Sequence, residues 1–226
     1  MNPAVTVFIP VHNGADFLAD SVDSIRRQTF TDWECILVDD ASTDASREWL
    51  DRIDDARFVV IHNPVNTHVA TASNIAMRLA RGRYFARLDQ DDIAMPERLA
   101  HQVAFLDSHP EITVCGGWMA HFGNAEGTGR THPDDARIKA MLLVAVGNIA
   151  NPASMVRMDF VRRHHIVSDP RFPLSCDYGM WVDVMFHGGR FANLEEVVTR
   201  YRLHAAQGSR QRSEEHTSEL QSHSGI

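Results

Sequence analysis

This chain is poor in the features that mark several functional classes. Its three cysteines, Cys35, Cys115 and Cys176, form no C-x-x-C pair, so neither a disulfide framework nor a zinc site is indicated. No apolar run approaches the ~20 residues of a membrane-spanning helix, and the N-terminus enters a strand pattern without a charged leader. Export and integral membrane insertion are therefore not expected. Basic charge is scarce: 22 Lys and Arg against 30 Asp and Glu leave a net charge of -8, the wrong sign for a nucleic-acid binder. Neither G-x-G-x-x-G after the first strand nor G-x-x-x-x-G-K-[ST] occurs, so a dinucleotide fingerprint and a P-loop are both excluded. Internal repeats and low-complexity tracts are absent as well. A reducing, cytoplasmic setting fits these absences.

What is present is a core-forming chain, 44% hydrophobic over 226 residues, which specifies a single domain over about 1–211. The run 212–226 has no hydrophobic period, resembles translated sequencing adaptor and is expected to be non-native, the natural chain continuing beyond Gln211. Val5-Thr6-Val7-Phe8-Ile9, Cys35-Ile36-Leu37-Val38, Phe58-Val59-Val60-Ile61 and Tyr84-Phe85-Ala86-Arg87-Leu88 read as buried strands. Between them, apolar residues recur at helical spacing: Phe17, Leu18, Val22 and Ile25 over about 15–28, then Trp49, Leu50 and Ile53, then Ala72, Ile75, Ala76 and Leu79. That alternation predicts an α/β fold with a doubly wound, mostly parallel sheet whose ligands gather at the carboxyl ends of the strands. Downstream, the pattern predicts a helix through Glu97 to Leu106, a strand at Thr113 to Cys115 and a bend at Gly116-Gly117. It further predicts a mobile loop from Gly123 to Asp135 and helices over Ile138 to Val146 and Tyr178 to Phe186.

The most informative segment is Asp89-Gln90-Asp91-Asp92, directly after the fourth strand. Massed carboxylates repel one another and persist where a cation neutralises them, and all-oxygen ligands suit Mg²⁺ or Mn²⁺. A solvated Asp-rich turn leading into the next helix is the competing reading. His12 and Asn13, Asp39 and Asp40, and Asn63 and Asn66 also fall at strand ends, which favours the first.

Val7-Phe8-Ile9-Pro10-Val11-His12-Asn13-Gly14, Gln28-Thr29-Phe30, Val38-Asp39-Asp40-Ala41-Ser42-Thr43-Asp44, Leu88-Asp89-Gln90-Asp91-Asp92, Pro96-Glu97-Arg98-Leu99 and Tyr201-Arg202-Leu203-His204 stand in this order. Together they resemble the motifs of family 2 glycosyltransferases with the GT-A fold, over nearly the whole chain to about Ser209. The resemblance implies an inverting, non-processive, metal-dependent transferase, since the Gln-x-x-Arg-Trp motif and membrane helices of processive synthases are missing. It divides the domain into a nucleotide-binding half, about 1–92, and an acceptor half, about 93–211. The implied donor is a nucleoside diphosphate sugar, a UDP-sugar first. The implied acceptor is a glycan or lipid-linked hydroxyl in cell-envelope or polysaccharide synthesis, met at the inner face of a membrane to which the protein associates peripherally.

Carried over by position, Pro10, His12 and Asp39 resemble the nucleoside pocket, with Asn13 beside them and Asp40 in support. Asn66 and Asn74 resemble donor-holding positions, although His68 and Ala76 stand where the family commonly has Gly. Asp89 resembles the ribose-side residue of a D-x-D motif, Asp91 its metal ligand for Mn²⁺ or Mg²⁺, Asp92 a neighbouring contact, and His204 a further metal ligand. Asp177 resembles the catalytic base, in a segment where Cys176 replaces the family's usual Glu. An N-cap role for Asp177 and an Asx turn at Asp39-Asp40 are the structural alternatives. A sugar nucleotidyltransferase or a non-catalytic nucleotide-sugar binding module are the rival functions.

Overall fold

The computed structural model describes residues 2–144, 148–172 and 175–205. The run 212–226 and Val146, assigned above to a non-native tail and a helix end, lie outside them. The first half alternates strand and helix: β1 (Val5–Val11), α1 (Leu18–Arg26), β2 (Trp33–Asp39), α2 (Ser46–Leu50), β3 (Phe58–His62), α3 (His68–Leu79) and β4 (Tyr84–Arg87). The second half contains β5 (Ile93–Ala94), α4 (Arg98–Ser108), β6 (Val114–Gly123), β7 (Gly127–Gly129), α5 (Asp135–Leu143), β8 (Met155–Arg157), α6 (Met158–Arg163), α7 (Cys176–Phe186) and β9 (Phe191–Leu203).

One sheet runs β3-β2-β1-β4-β8-β6-β9-β5, with β7 paired to β6. Pairing is parallel from β3 through β4, turns antiparallel on both sides of β8, and is parallel again between β6 and β9. Side chains alternate across the sheet, and each face carries its own helices. Val5, Val7, Ile9 and Val11 of β1 pack with Leu18, Val22 and Ile25 of α1 and Leu99, Val103 and Leu106 of α4. Phe8, Ile36 and Val38 point the other way, into Ala72 and Ala76 of α3, Ile138 and Leu142 of α5, and Trp181 and Val184 of α7. Burying both faces is why these strands read as continuous apolar runs rather than alternating ones.

Pro10 sits inside β1 without breaking it. The Phe8 carbonyl accepts from Leu88 N at 3.0 Å, so by the two-residue period Pro10 turns its nitrogen toward β4 after that strand has ended. No ladder bond is lost there.

Two expectations are corrected. Gly116-Gly117 is not a bend but lies within β6, with register shifts against β9 around Trp118. Glycine is required there by crowding: a Cβ on Gly116 would stand 2.1 Å from Asn193 Oδ1, and one on Gly117 2.7 Å from Val198 Cγ2. The Gly123 to Asp135 loop is partly a hairpin, in which Gly127–Gly129 pairs back on Met119 to His121. Tyr201 to Leu203 end the 13-residue strand β9. β8 and α6 carry no periodic signal long enough to read in advance.

Candidate functional site

The carboxyl ends of β1, β2 and β4 lie side by side, so the turns that follow them are laced together. Gln90 forms a two-bond pair with the backbone of His12, its Oε1 accepting from His12 N at 2.9 Å and its Nε2 donating to His12 O at 3.0 Å. A Cβ on Gly14 would stand 2.3 Å from that Gln90 oxygen, so glycine is what lets the pair form. The His12 ring meets the Asp40 carbonyl at 2.9 Å through Nδ1. A carbonyl only accepts, so Nδ1 carries the proton and Nε2 is left to accept from Asn66 Nδ2 at 3.3 Å. Asn13 adopts φ of 50° and ties the two turns, receiving Thr43 N at 2.8 Å while its own N–H donates to Ser42 Oγ at 3.0 Å. The left-handed conformation suits Asn.

Asp39 and Asp40 are buried and already hydrogen-bonded. Asp39 accepts from Ser42 N at 3.0 Å, the Asx turn weighed above, and from His62 Nδ1 at 2.8 Å. Asp40 accepts from Asn63 Nδ2 at 2.7 Å and from both N and Oγ1 of Thr67, at 2.9 and 2.8 Å, which pins the 63–67 loop. His68, where the family commonly has Gly, has φ of 62°, the conformation glycine adopts without cost. Burial opposes ionisation of both carboxyls, yet the hydrogen bonds from Ser42 and His62, and from Asn63 and Thr67, win and hold them below the usual carboxylate range. A depressed folded pKa contributes stability above the unfolded value near ~3.9 that is lost as pH falls through the folded one. Melting temperature is thus expected to drop on acidification below about pH 4. Asp40→Asn should melt lower than wild type at neutral pH and show a shallower acid fall. An unchanged acid slope in that variant would refute the assignment.

After β4 the four-residue acidic segment separates into distinct roles. Asp89 accepts from Arg87 Nε and Nη2 at 3.0 and 2.9 Å. Asp91 Oδ2 lies 2.8 Å from His204 Nε2, with the two side chains 14% and 18% exposed. Asp92 is fully buried: one oxygen accepts from Arg202 N at 2.9 Å and the other has no partner among the described residues. Arg202 also donates to the Asp91 carbonyl at 2.8 Å, so the end of β9 is stitched onto the acidic segment. Arg98, 2% exposed, donates to the carbonyls of Pro152 and Arg87, each at 2.7 Å, and to Thr199 Oγ1 at 3.2 Å. Burial, then the neighbouring carboxylates, push Asp91 and Asp92 upward.

A cation is what would relieve that strain. Asp91 and His204 fit one, as an anionic oxygen and an imidazole nitrogen in contact beside an orphaned carboxyl oxygen. Among the described residues no group of three or more His, Cys, Asp or Glu side chains is arranged to hold an ion. Asp91 and His204 are thus two candidate ligands rather than a complete set among the described residues.

Asp177 lies in the first turn of α7, while the cap position is Ser175, so Asp177 is not the N-cap. It lines a narrow pocket of about 10 Å³ with Arg87, Asn151, Ser168 and Trp181. Arg87 is thus shared between Asp89 and the Asp177 pocket, its charge favoured by both carboxylates against burial. Asn74 falls on this side, bound to Ser168 of the pocket wall. Both ends of its amide bind the Ser168 backbone, at 2.7 and 2.9 Å. Arg87, Gln90, Arg98 and Arg202 lay unremarked within segments quoted above, whereas Asn151 and Ser168 carried no sequence signal.

Residues 6–164 match the family model described as Glycosyl transferase family 2. The chain belongs to glycosyl transferase family 2. It is 30% identical over 223 residues to an uncharacterized glycosyltransferase of Haemophilus influenzae, covering 92% of this chain and 68% of that protein. It is 28% identical over 201 residues to the UDP-Glc:alpha-D-GlcNAc-diphosphoundecaprenol beta-1,3-glucosyltransferase WfaP of Escherichia coli, covering 89% and 78%. Among solved structures, S. aureus TarS 1-349 in complex with UDP-GlcNAc superposes with TM-score 0.80 at 17% identity, over 93% of this chain and 61% of that one. The mannosyltransferase PcManGT from Pyrobaculum calidifontis, in complex with GDP-Man and Mn2+, gives 0.70 at 20%, over 94% and 60%. The fold of this family 2 chain is accordingly GT-A, and the chain spans about three fifths of those two solved chains. No helix among its described residues is long and apolar enough to cross a membrane.

Proposed function

We propose that this protein is an inverting glycosyltransferase that moves a sugar from a nucleoside diphosphate sugar, a UDP-sugar first, to an acceptor hydroxyl in cell-envelope glycan synthesis. The observation that carries the reading is the Arg87 bridge. It supports the reading because Arg87 binds Asp89, two residues before Asp91, and lines one pocket with Asp177, the candidate base. His12, Asn13 and Asn66 form the exposed rim for the nucleoside, with Asp39 and Asp40 as the buried scaffold beneath it. Asp89 stands toward the ribose side. Asp91 and His204 would hold Mn²⁺ or Mg²⁺, which when bound would supply Lewis-acid neutralisation of the diphosphate. Asp177 takes the proton of the acceptor hydroxyl. Asn74, spent on Ser168, positions the pocket wall and does not touch the donor.

Relatives support the choice of ligands. WfaP is named for a UDP-glucose donor and a diphosphoundecaprenol acceptor, TuaG of Bacillus subtilis for teichuronic acid biosynthesis and WcaA of E. coli for colanic acid biosynthesis. By the same analogy the protein works in the cytoplasm at the inner face of the membrane. A screen of UDP-, GDP- and dTDP-sugars with and without Mn²⁺ tests the donor assignment, because a ligand of the native state raises melting temperature. A UDP-sugar with Mn²⁺ should raise it more than either alone, and the same pair should release UDP on turnover. If no nucleotide sugar shifts melting with or without Mn²⁺, the proposal fails.

A further inference from the structure

A second cleft, of about 300 Å³, opens where β4 begins, at the opposite end of that strand from Asp89-Gln90-Asp91-Asp92. Three guanidiniums, Arg83, Arg157 and Arg162, line it against two carboxylates, Asp107 and Asp159. Asp107 is fully engaged, receiving Arg83 Nη1 and Nη2 at 2.7 Å each and the Tyr84 hydroxyl at 2.5 Å. Asp159 sits at the solvent rim, 67% exposed and 3.6 Å from Arg163.

Arg157 and Arg162 form no ion pair among the described residues. Arg157 donates to neutral oxygens, the carbonyls of Ile112 at 2.7 Å, His109 at 3.0 Å and Leu106, and the Tyr84 hydroxyl at 3.2 Å. Arg162 makes one bond, to the Ala80 carbonyl at 2.7 Å. The buried Tyr84 ring lies between two of the cations, 4.8 Å from Arg83 and 5.5 Å from Arg157. Like charges around one ring repel, and a single inward carboxylate does not neutralise them. The excess positive charge faces open space; the forks of Arg83 and Arg157 are largely engaged, while Arg162 spends a single donor on Ala80 and offers the rest of its fork to the cleft.

We propose that this cleft is a binding site for a phosphate-bearing ligand, separate from the donor site. A phosphate group brings charge near -2 and several acceptor oxygens, which guanidinium forks engage two at a time. The ligand is either a soluble phosphate ester or a phospholipid headgroup, and both present the same group. The proposal does not depend on the transferase reading.

Titration of the whole protein with inorganic phosphate in EDTA at constant ionic strength, read by calorimetry and thermal shift, tests it. EDTA removes metal-dependent binding at the donor site, and Asp91→Asn should retain the phosphate response. Arg162→Gln, at an exposed position, and Arg83→Gln should each weaken phosphate about tenfold, with Arg162→Lys recovering part of the loss. Arg162→Gln decides the matter if Arg83→Gln fails to fold. Flotation with phosphatidic acid vesicles against phosphatidylcholine vesicles separates the sources: binding lost in Arg162→Gln assigns a headgroup, and phosphate binding without vesicle binding assigns a soluble ester. Absence of phosphate binding, or wild-type affinity in both glutamine variants, would overturn the proposal.

Discussion

Asp91→Asn is expected to cut transfer by about a thousandfold while leaving the protein folded. Lewis-acid stabilisation of a departing diphosphate is worth several kcal/mol, and ~4 kcal/mol corresponds to roughly that factor in rate. The amide keeps an oxygen that can accept from His204 Nε2, now 2.8 Å from the carboxylate, so the packing of β9 against the acidic segment should survive. It also removes one of the mutually repelling carboxyls, whose ionisation burial and Asp89 already disfavour. Melting temperature in EDTA should therefore be close to wild type, while the stabilisation gained from Mn²⁺ with a UDP-sugar should vanish. Full turnover by this variant, or by metal-depleted wild type, would sink the metal assignment. Donor binding without metal would not rescue it.

Asp177→Asn tests a different half of the site. General-base assistance contributes roughly 10²–10⁴-fold, so transfer should fall by that much while donor affinity stays within about threefold. The separation of effects is expected because Asp177 lines a pocket with Arg87, whose guanidinium is bound to Asp89. Its structural cost should be small. The residue is in the first turn of α7 but not at the cap, and loss of one charge near a helix start costs ~0.3–1 kcal/mol. A variant that transfers normally would remove Asp177 from the chemistry and favour a different base. A variant that loses donor binding along with turnover would point instead to collapse of the Arg87 bridge. Cys176, buried beside it, offers no carboxylate in compensation.

The first half of the fold was legible because doubly buried strands leave long apolar runs and the helices between them repeat at helical spacing. β9 was not, since Glu195, Glu196, Thr199, Arg200 and Arg202 interrupt its pattern. Arg202 binds the acidic segment, Thr199 meets the buried Arg98, Glu196 meets His101, and Glu195 and Arg200 face solvent, so none of them extends one continuous apolar core. Gly116-Gly117 misled for a related reason: glycine marks turns, but it also marks places where another strand comes too close for a Cβ.

In the site, residue type and position after a strand singled out Asp39, Asp40 and the acidic segment. Pattern alone does not say which carboxylate is spent on structure. Asp39 and Asp40 proved to be hydrogen-bonded to Ser42, His62, Asn63 and Thr67, and Asn74 to Ser168, 94 residues away.

By itself, then, the sequence determined the alternation of elements, the end of the sheet where polar groups collect, and through its motifs the family. Those are local properties, set by hydrophobic period and backbone preference. Only the tertiary structure decided that Asp91 meets His204 across 113 residues, that Gln90 braces His12, and that Arg87 binds Asp89 while lining a pocket with Asp177. Such pairings depend on which chain segments the packed sheet brings within about 3 Å, and hydrogen-bond partners are chosen by that proximity rather than by residue type.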